Sequence, residues 1–111
     1  MTETKLQQQC VRWFKYQYPG VIIASFPNEG KRSKFTAQRM KAEGLCRGIP
    51  DLIIFGIFGA PMLIEMKIDK APVRPDQVGV HETLREAGYQ VRVCRTFEDF
   101  KYTVDTYMEN Q

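Results

Sequence analysis

Residues 48–67 read GIPDLIIFGIFGAPMLIEMK, and the fold turns on how that stretch divides. Two apolar runs, residues 51–55 and 62–67, flank a short segment holding Gly56, Gly59 and Pro61. Apolar runs of this length, bounded by turn formers, read as strands, and so short a connection makes them an antiparallel hairpin. Charge sits at the ends of these buried segments. Asp51 opens the first run, and Glu65 and Lys67 close the second. Side chains two apart on a strand share a face, so Glu65 and Lys67 point the same way. Taken singly, each has an ordinary explanation. Asp51, directly after Pro50, is a turn aspartate bonded to nearby backbone, and Glu65 with Lys67 is a pair that neutralises itself at a strand end. Those explanations leave the third charge a coincidence. A divalent metal accounts for all three, because Mg²⁺ and Mn²⁺ prefer oxygen ligands such as carboxylates, a backbone carbonyl and water.

Outward from the hairpin, hydrophobic spacing sets the remaining elements. Leu6, Cys10, Trp13 and Phe14 recur at helical spacing, which predicts a helix over residues 2–18, capped by Thr2 or Thr4 and ended by Pro19-Gly20. A β-branched apolar run predicts a strand over residues 21–26. The polar loop PNEGKRSK follows, then a short helix over residues 36–44 with Thr36 as cap and Gly44 as stop. Beyond the hairpin come a two-proline loop, a helix over residues 76–87 and a strand over residues 90–95. A last helix, residues 96–108, turns Phe97, Phe100, Val104 and Tyr107 inward. The order α-β-α-β-β-α-β-α is that of an α/β domain, with a mixed sheet of about four strands flanked by helices on both faces. Two polar residues fall on inward stripes. Glu3 is in register with Leu6 and Cys10, and Gln77 with Val80 and Leu84. A Glu near a helix start also serves the helix dipole, and a Gln there also serves as a cap, so spacing alone leaves both readings open.

A chain of 111 residues predicts one domain over residues 1–111, and its balance of 43% hydrophobic and 26% charged residues is that of a globular protein. No apolar run is long enough to span a membrane, and the start MTETKLQQQC has no signal-peptide profile, which predicts a cytoplasmic location. Cys10, Cys46 and Cys94 are odd in number and widely spaced, with His81 the single histidine. That argues against zinc and for cysteines used as small apolar residues. The net charge of +3 is unevenly spread. Lys31, Arg32, Lys34, Arg39, Lys41 and Arg47 face only Glu43 between residues 31 and 47, whereas residues 96–111 carry Glu98, Asp99, Asp105 and Glu109 against Lys101. This is a directed basic surface suited to a nucleic-acid partner, or else a solvated cationic loop.

The motifs, taken in order, resemble a known family. GIPD, then IEMK with its Glu fourteen residues after Asp51, then Gln77, look like the signature of the PD-(D/E)XK nucleases. More narrowly, the segments TETKLQ, FPNEGKRSKFTAQRMKAEG, GIPDL, IEMK, RPDQ and GYQVRVCRTFED resemble the VRR-NUC (virus-type replication-repair nuclease) family across nearly the whole chain. The resemblance implies a restriction-endonuclease-like core and an active site of Glu3, Asp51, Glu65, Lys67 and Gln77. It implies a Mg²⁺ or Mn²⁺ ion held by Asp51, Glu65 and the carbonyl of Met66, with Glu3 in direct or water-mediated contact. Lys31, Arg32, Lys34, Arg39 and Lys41 are the expected DNA-binding residues. Glu29 departs from the family pattern, standing where the loop usually has glycine, and a carboxylate there weakens backbone approach to a phosphate. Stand-alone members of phage or bacterial type resemble Holliday-junction resolvases, so the resemblance implies a homodimeric endonuclease for branched DNA. A non-catalytic nucleic-acid-binding module on this fold, or a nuclease for flap DNA or RNA, is the alternative. The hairpin is richer in apolar residues than one buried face needs, so Phe55, Ile57 and Phe58 are expected partly outside, at a dimer interface, or else all buried within the monomer, since covered strands are often continuously apolar.

Overall fold

The computed structural model describes residues 1–26 and 34–111, and of Lys34 and Phe35 it describes the backbone alone. The elements run α1 (Glu3–Gln17), β1 (Ile22–Ser25), α2 (Lys34–Ala42), β2 (Leu52–Phe55), β3 (Met62–Met66), α3 (Pro75–Glu86), β4 (Gln90–Cys94) and α4 (Phe97–Glu109). Order and type match the expectation throughout. Thr2 is the α1 cap, its hydroxyl accepting from the Lys5 amide at 3.1 Å. Thr96 caps α4 in the same way, accepting from Asp99. Thr36 is not the cap of α2, which begins at Lys34. Cap preference places a helix start only to within a residue or two.

The sheet has the order β1-β2-β3-β4. β1 and β3 each pair antiparallel with β2, whereas β3 and β4 run parallel. A parallel pair needs a crossover, and α3 supplies it. Along β3 every residue is buried, as expected of a central strand packed on both faces. Alternation divides its side chains. Met62, Ile64 and Met66 join Leu6, Cys10 and Phe14 of α1 and Phe100 and Val104 of α4 in the main core. Leu63 and Glu65 face the other way, toward α3. The β2–β3 register pairs Leu52 with Ile64 and Ile53 with Leu63. Continued by one residue, it sets Asp51 opposite Glu65 on the α3 side.

The expectation that both faces are covered fails for half of one face. α1 and α4 cover one side, but α3 packs on β4, and among the described residues no helix packs on the β1–β2 half of that side. Ile22 and Phe55, partners across β1 and β2, are exposed there, and Ile57 and Phe58 in the turn are 70% and 71% exposed. A twelve-residue crossover helix is too narrow to shield four strands. The turn itself is pinned from α4. The Tyr107 hydroxyl accepts from the Gly56 amide at 2.9 Å and donates to the Ala60 carbonyl at 2.9 Å.

Candidate active site

The loop before β2 brings Asp51 to the sheet edge, and its geometry depends on Gly48. That residue has φ +90°, and a Cβ there would lie 2.6 Å from the Asp76 carbonyl oxygen at the start of α3. Only glycine accepts both the left-handed conformation and the close approach. The loop therefore seats against α3, and Asp51 reaches across to β3, where its Oδ2 accepts from the Met66 amide at 2.7 Å. The strand backbone thus aims Asp51 at Glu65.

Glu3, from the first turn of α1, completes a cluster. One carboxylate oxygen each from Glu3, Asp51 and Glu65 lies within 4.8 Å of the others. Three carboxylates so close repel one another, and burial adds to the cost of charging them. Glu65 is 1% exposed. Burial first, then hydrogen bonding to Asp51 and the charges of Asp51 and Glu3, hold its pKa well above the ordinary carboxylate range, with Lys67 opposing. Glu3 is also raised, by burial and then by Asp51, with Lys67 and Arg74 pulling it back down. Lys67 lies one residue past β3, its amide donating to the Cys94 carbonyl at 3.1 Å. It is buried, yet among the described residues it makes no close ion pair with Glu65, whose nearest basic side chain is the His81 imidazole, Nε2 lying 3.5 Å from Oε1. The self-neutralising pair is therefore absent, and the ammonium serves the whole cluster.

Gln77 answers both readings left open by its spacing. Its Oε1 accepts from the Arg74 amide at 2.9 Å, closing the first turn of α3, and its Nε2 donates to Glu65 Oε2 at 3.2 Å. The Arg74 amide can only donate, which fixes the orientation of the side-chain amide and leaves its NH₂ for the carboxylate. Gln77 is bonded to Glu65 and not to Lys67. All five expected residues, Glu3, Asp51, Glu65, Lys67 and Gln77, line one cleft of about 410 Å³.

Of the expected DNA-binding residues, Lys31 and Arg32 lie outside the described residues, as does Glu29, and for Lys34 only the backbone is described. Arg39 and Lys41 are exposed on α2, Arg39 paired with Glu43 at 2.7 Å. Three further residues stand at the site, of which only Arg47 is counted in the basic stretch of the sequence. Arg47 and Arg74 line the cleft, and each bonds Asp76. His81 is buried behind Glu65, with its pKa lowered by burial and then by the charges of Arg85 and Lys67, so that it is neutral. A signal for His81 existed in the sequence. It lies four residues after Gln77, hence on the same helix face.

The chain as a whole has counterparts among known proteins. The VRR-NUC domain profile matches residues 1–98. A search of curated proteins returned no match. Among solved structures, one described as a VRR_NUC domain protein is 26% identical, with a TM-score of 0.79 over 98% of this chain and 89% of its own. A second, described as a VRR_NUC domain, is 24% identical with a TM-score of 0.66 over 95% of this chain and 96% of its own, and it speaks for the fold alone. With a match across residues 1–98, the chain belongs to the VRR-NUC domain family, a family of nucleases.

Proposed function

We propose that the protein is a metal-dependent endonuclease, a single catalytic domain that hydrolyses phosphodiester bonds in branched DNA and acts as a homodimer in the cytoplasm. The observation that carries this reading is the carboxylate triad of Glu3, Asp51 and Glu65 beside Lys67 in one cleft. The donor set fits a hard divalent cation. It offers oxygen ligands only, and Glu65 Oε1 is a buried acceptor without a hydrogen-bond donor among the described residues. Asp51, Glu65 and the Met66 carbonyl would hold Mg²⁺ or Mn²⁺, with Glu3 in direct or water-mediated contact. When bound, such an ion supplies Lewis acidity toward the phosphate and toward water.

The chain's own residues do the remaining work. Asp51 is held in place by the Met66 amide, so it needs no reorganisation to act as a ligand. Lys67 stabilises negative charge developing on the phosphoryl oxygens, the more effectively for being buried. Gln77 holds Glu65 by Oε2 and so fixes the carboxylate beside Asp51 and Glu3. Arg47 and Arg74 at the cleft wall and Arg39 and Lys41 on α2 supply positive charge for phosphates, which position nucleic acid without reading its sequence. Resolving a four-way junction needs two cuts related by two-fold symmetry, and a two-fold dimer supplies two sites so related. The exposed apolar residues Phe55, Ile57 and Phe58 support this assembly.

The test is a panel of linear, flap, fork and four-way DNA, with matched RNA, in Mg²⁺ or Mn²⁺. Paired cuts in the four-way junction are expected. Cleavage of flaps or RNA in preference would change the substrate and keep the enzyme. Binding without cleavage in either metal would make the protein a non-catalytic module.

A further inference from the structure

The buried face of α3 presents two donors to one carboxylate. His81 is 2% exposed, and its Nε2 lies 3.5 Å from Glu65 Oε1. Among the described residues, neither of these buried atoms has a hydrogen-bond partner. One helical turn earlier, Gln77 donates to the other oxygen, Oε2. Leaving a buried imidazole nitrogen and a buried carboxylate oxygen both unpaired is unfavourable, and here each is the nearest remedy for the other. Closing by about half an ångström brings the pair to ordinary hydrogen-bond length. Hydrogen bonds around active sites are often long before ligands bind and tighten when they do.

We propose that His81 is a positioning residue for the nuclease site, its Nε2–H donating to Glu65 Oε1 while Gln77 donates to Oε2. This rests on the function proposed above. With one bond to each oxygen from residues i and i+4 of a single helix, the carboxylate plane is clamped. The clamped carboxylate is the one with an oxygen within 4.8 Å of an oxygen each of Glu3 and Asp51. The competing account is that His81 merely fills space under α3. That account predicts that an apolar residue of similar size serves as well, and that the tautomer is indifferent.

Two measurements separate these accounts, and neither uses cleavage. His81 is the only histidine, so the imidazole ¹⁵N spectrum of the untagged, Mg²⁺-loaded protein needs no assignment. The Nε2–H tautomer is expected, and an Nδ1–H tautomer with bare Nε2 would overturn the proposal. Calorimetric titration with Mn²⁺ alone is the second measurement. Gln places its amide nitrogen where the imidazole has Nε2, and Asn where it has Nδ1. His81→Gln should keep Mn²⁺ affinity within about threefold, while His81→Asn and His81→Leu should lose about 10- to 100-fold, the usual effect of removing a residue that orients a metal ligand. Circular dichroism and melting confirm that each variant is folded. If Leu and Gln bind Mn²⁺ equally, or wild-type protein binds none, the clamp is refuted. A protein that passes both tests but cuts no nucleic acid would refute the nuclease reading and leave the clamp standing.

Discussion

Glu65 is the residue on which most of the proposed chemistry converges. It sits on a central strand, buried, between Asp51 from the β2 loop and Gln77 from α3. Glu65→Gln or Asp51→Asn should reduce cleavage by more than about 100-fold, since that is the upper range for groups one step further from the metal. Both variants should fold, which circular dichroism would check, and near wild-type cutting by either would mean the assigned site is wrong. Glu65 also makes the metal-free protein pH-sensitive. Its folded pKa is raised above the ordinary 4.5, so between those values the folded chain binds a proton that the unfolded chain does not. Stability is then greatest at low pH within that window and falls as pH rises through it. In EDTA, the melting temperature should fall as pH climbs above about 4.5, and Glu65→Gln should flatten that fall. Mn²⁺ at a hundred times its Kd should add about 2.7 kcal/mol to wild-type protein and nothing comparable to the variant. Differential scanning calorimetry reads all three effects.

At the scale of elements, the GIPD loop and α3 act together. Gly48 lets the loop lie against the α3 start, an approach closed to any residue with a Cβ, and α3 in turn carries Gln77 and His81. Gly48→Ala adds a strained φ, worth about 1–3 kcal/mol, and pushes on the Asp76 carbonyl. Chemical denaturation should show that loss of stability, and activity should fall further than stability explains, because both Asp51 and Gln77 shift. α2 is the exposed basic element. Its Arg39–Glu43 pair is solvent-exposed and worth little, so Arg39 can exchange it for a phosphate at small cost. Replacing Arg39 and Lys41 by alanine should weaken duplex binding and flatten the salt slope of log K by about 0.9 for each phosphate no longer neutralised. Filter binding over a range of salt concentrations measures it, and an unchanged slope would make α2 a solvated surface helix.

For the whole molecule, the half of the α3 side that no described helix covers is the feature to explain. Ile22, Phe55, Ile57 and Phe58 are exposed together on one edge of the sheet and its turn. Phe58→Asp, in a turn whose backbone is held independently by Tyr107, should leave the monomer folded and shift a dimer toward monomer. Analytical ultracentrifugation at micromolar concentration would show the change, and four-way junctions should then receive single nicks in place of paired cuts. A wild-type protein that sediments as a strict monomer would sink the dimer while leaving the nuclease assignment untouched.

The order of the elements, the hairpin, the inward stripes and the five clustered residues were all legible in the sequence. Each rests on local periodicity or on a short ordered motif, which a chain carries without reference to its fold. Even there, Thr36 misled, because capping preference is weak against the pull of neighbouring residues. Tertiary structure decided what depends on two elements meeting. Gln77 caps a helix and holds Glu65 at once, since α3, packed on β4, crosses near enough for its side chains to reach Glu65 on β3. His81 looks like any helix residue until that crossing buries it against a carboxylate. The open half-face likewise follows from the width of one helix laid on a four-stranded sheet, a quantity with no counterpart in the spacing of residues along the chain.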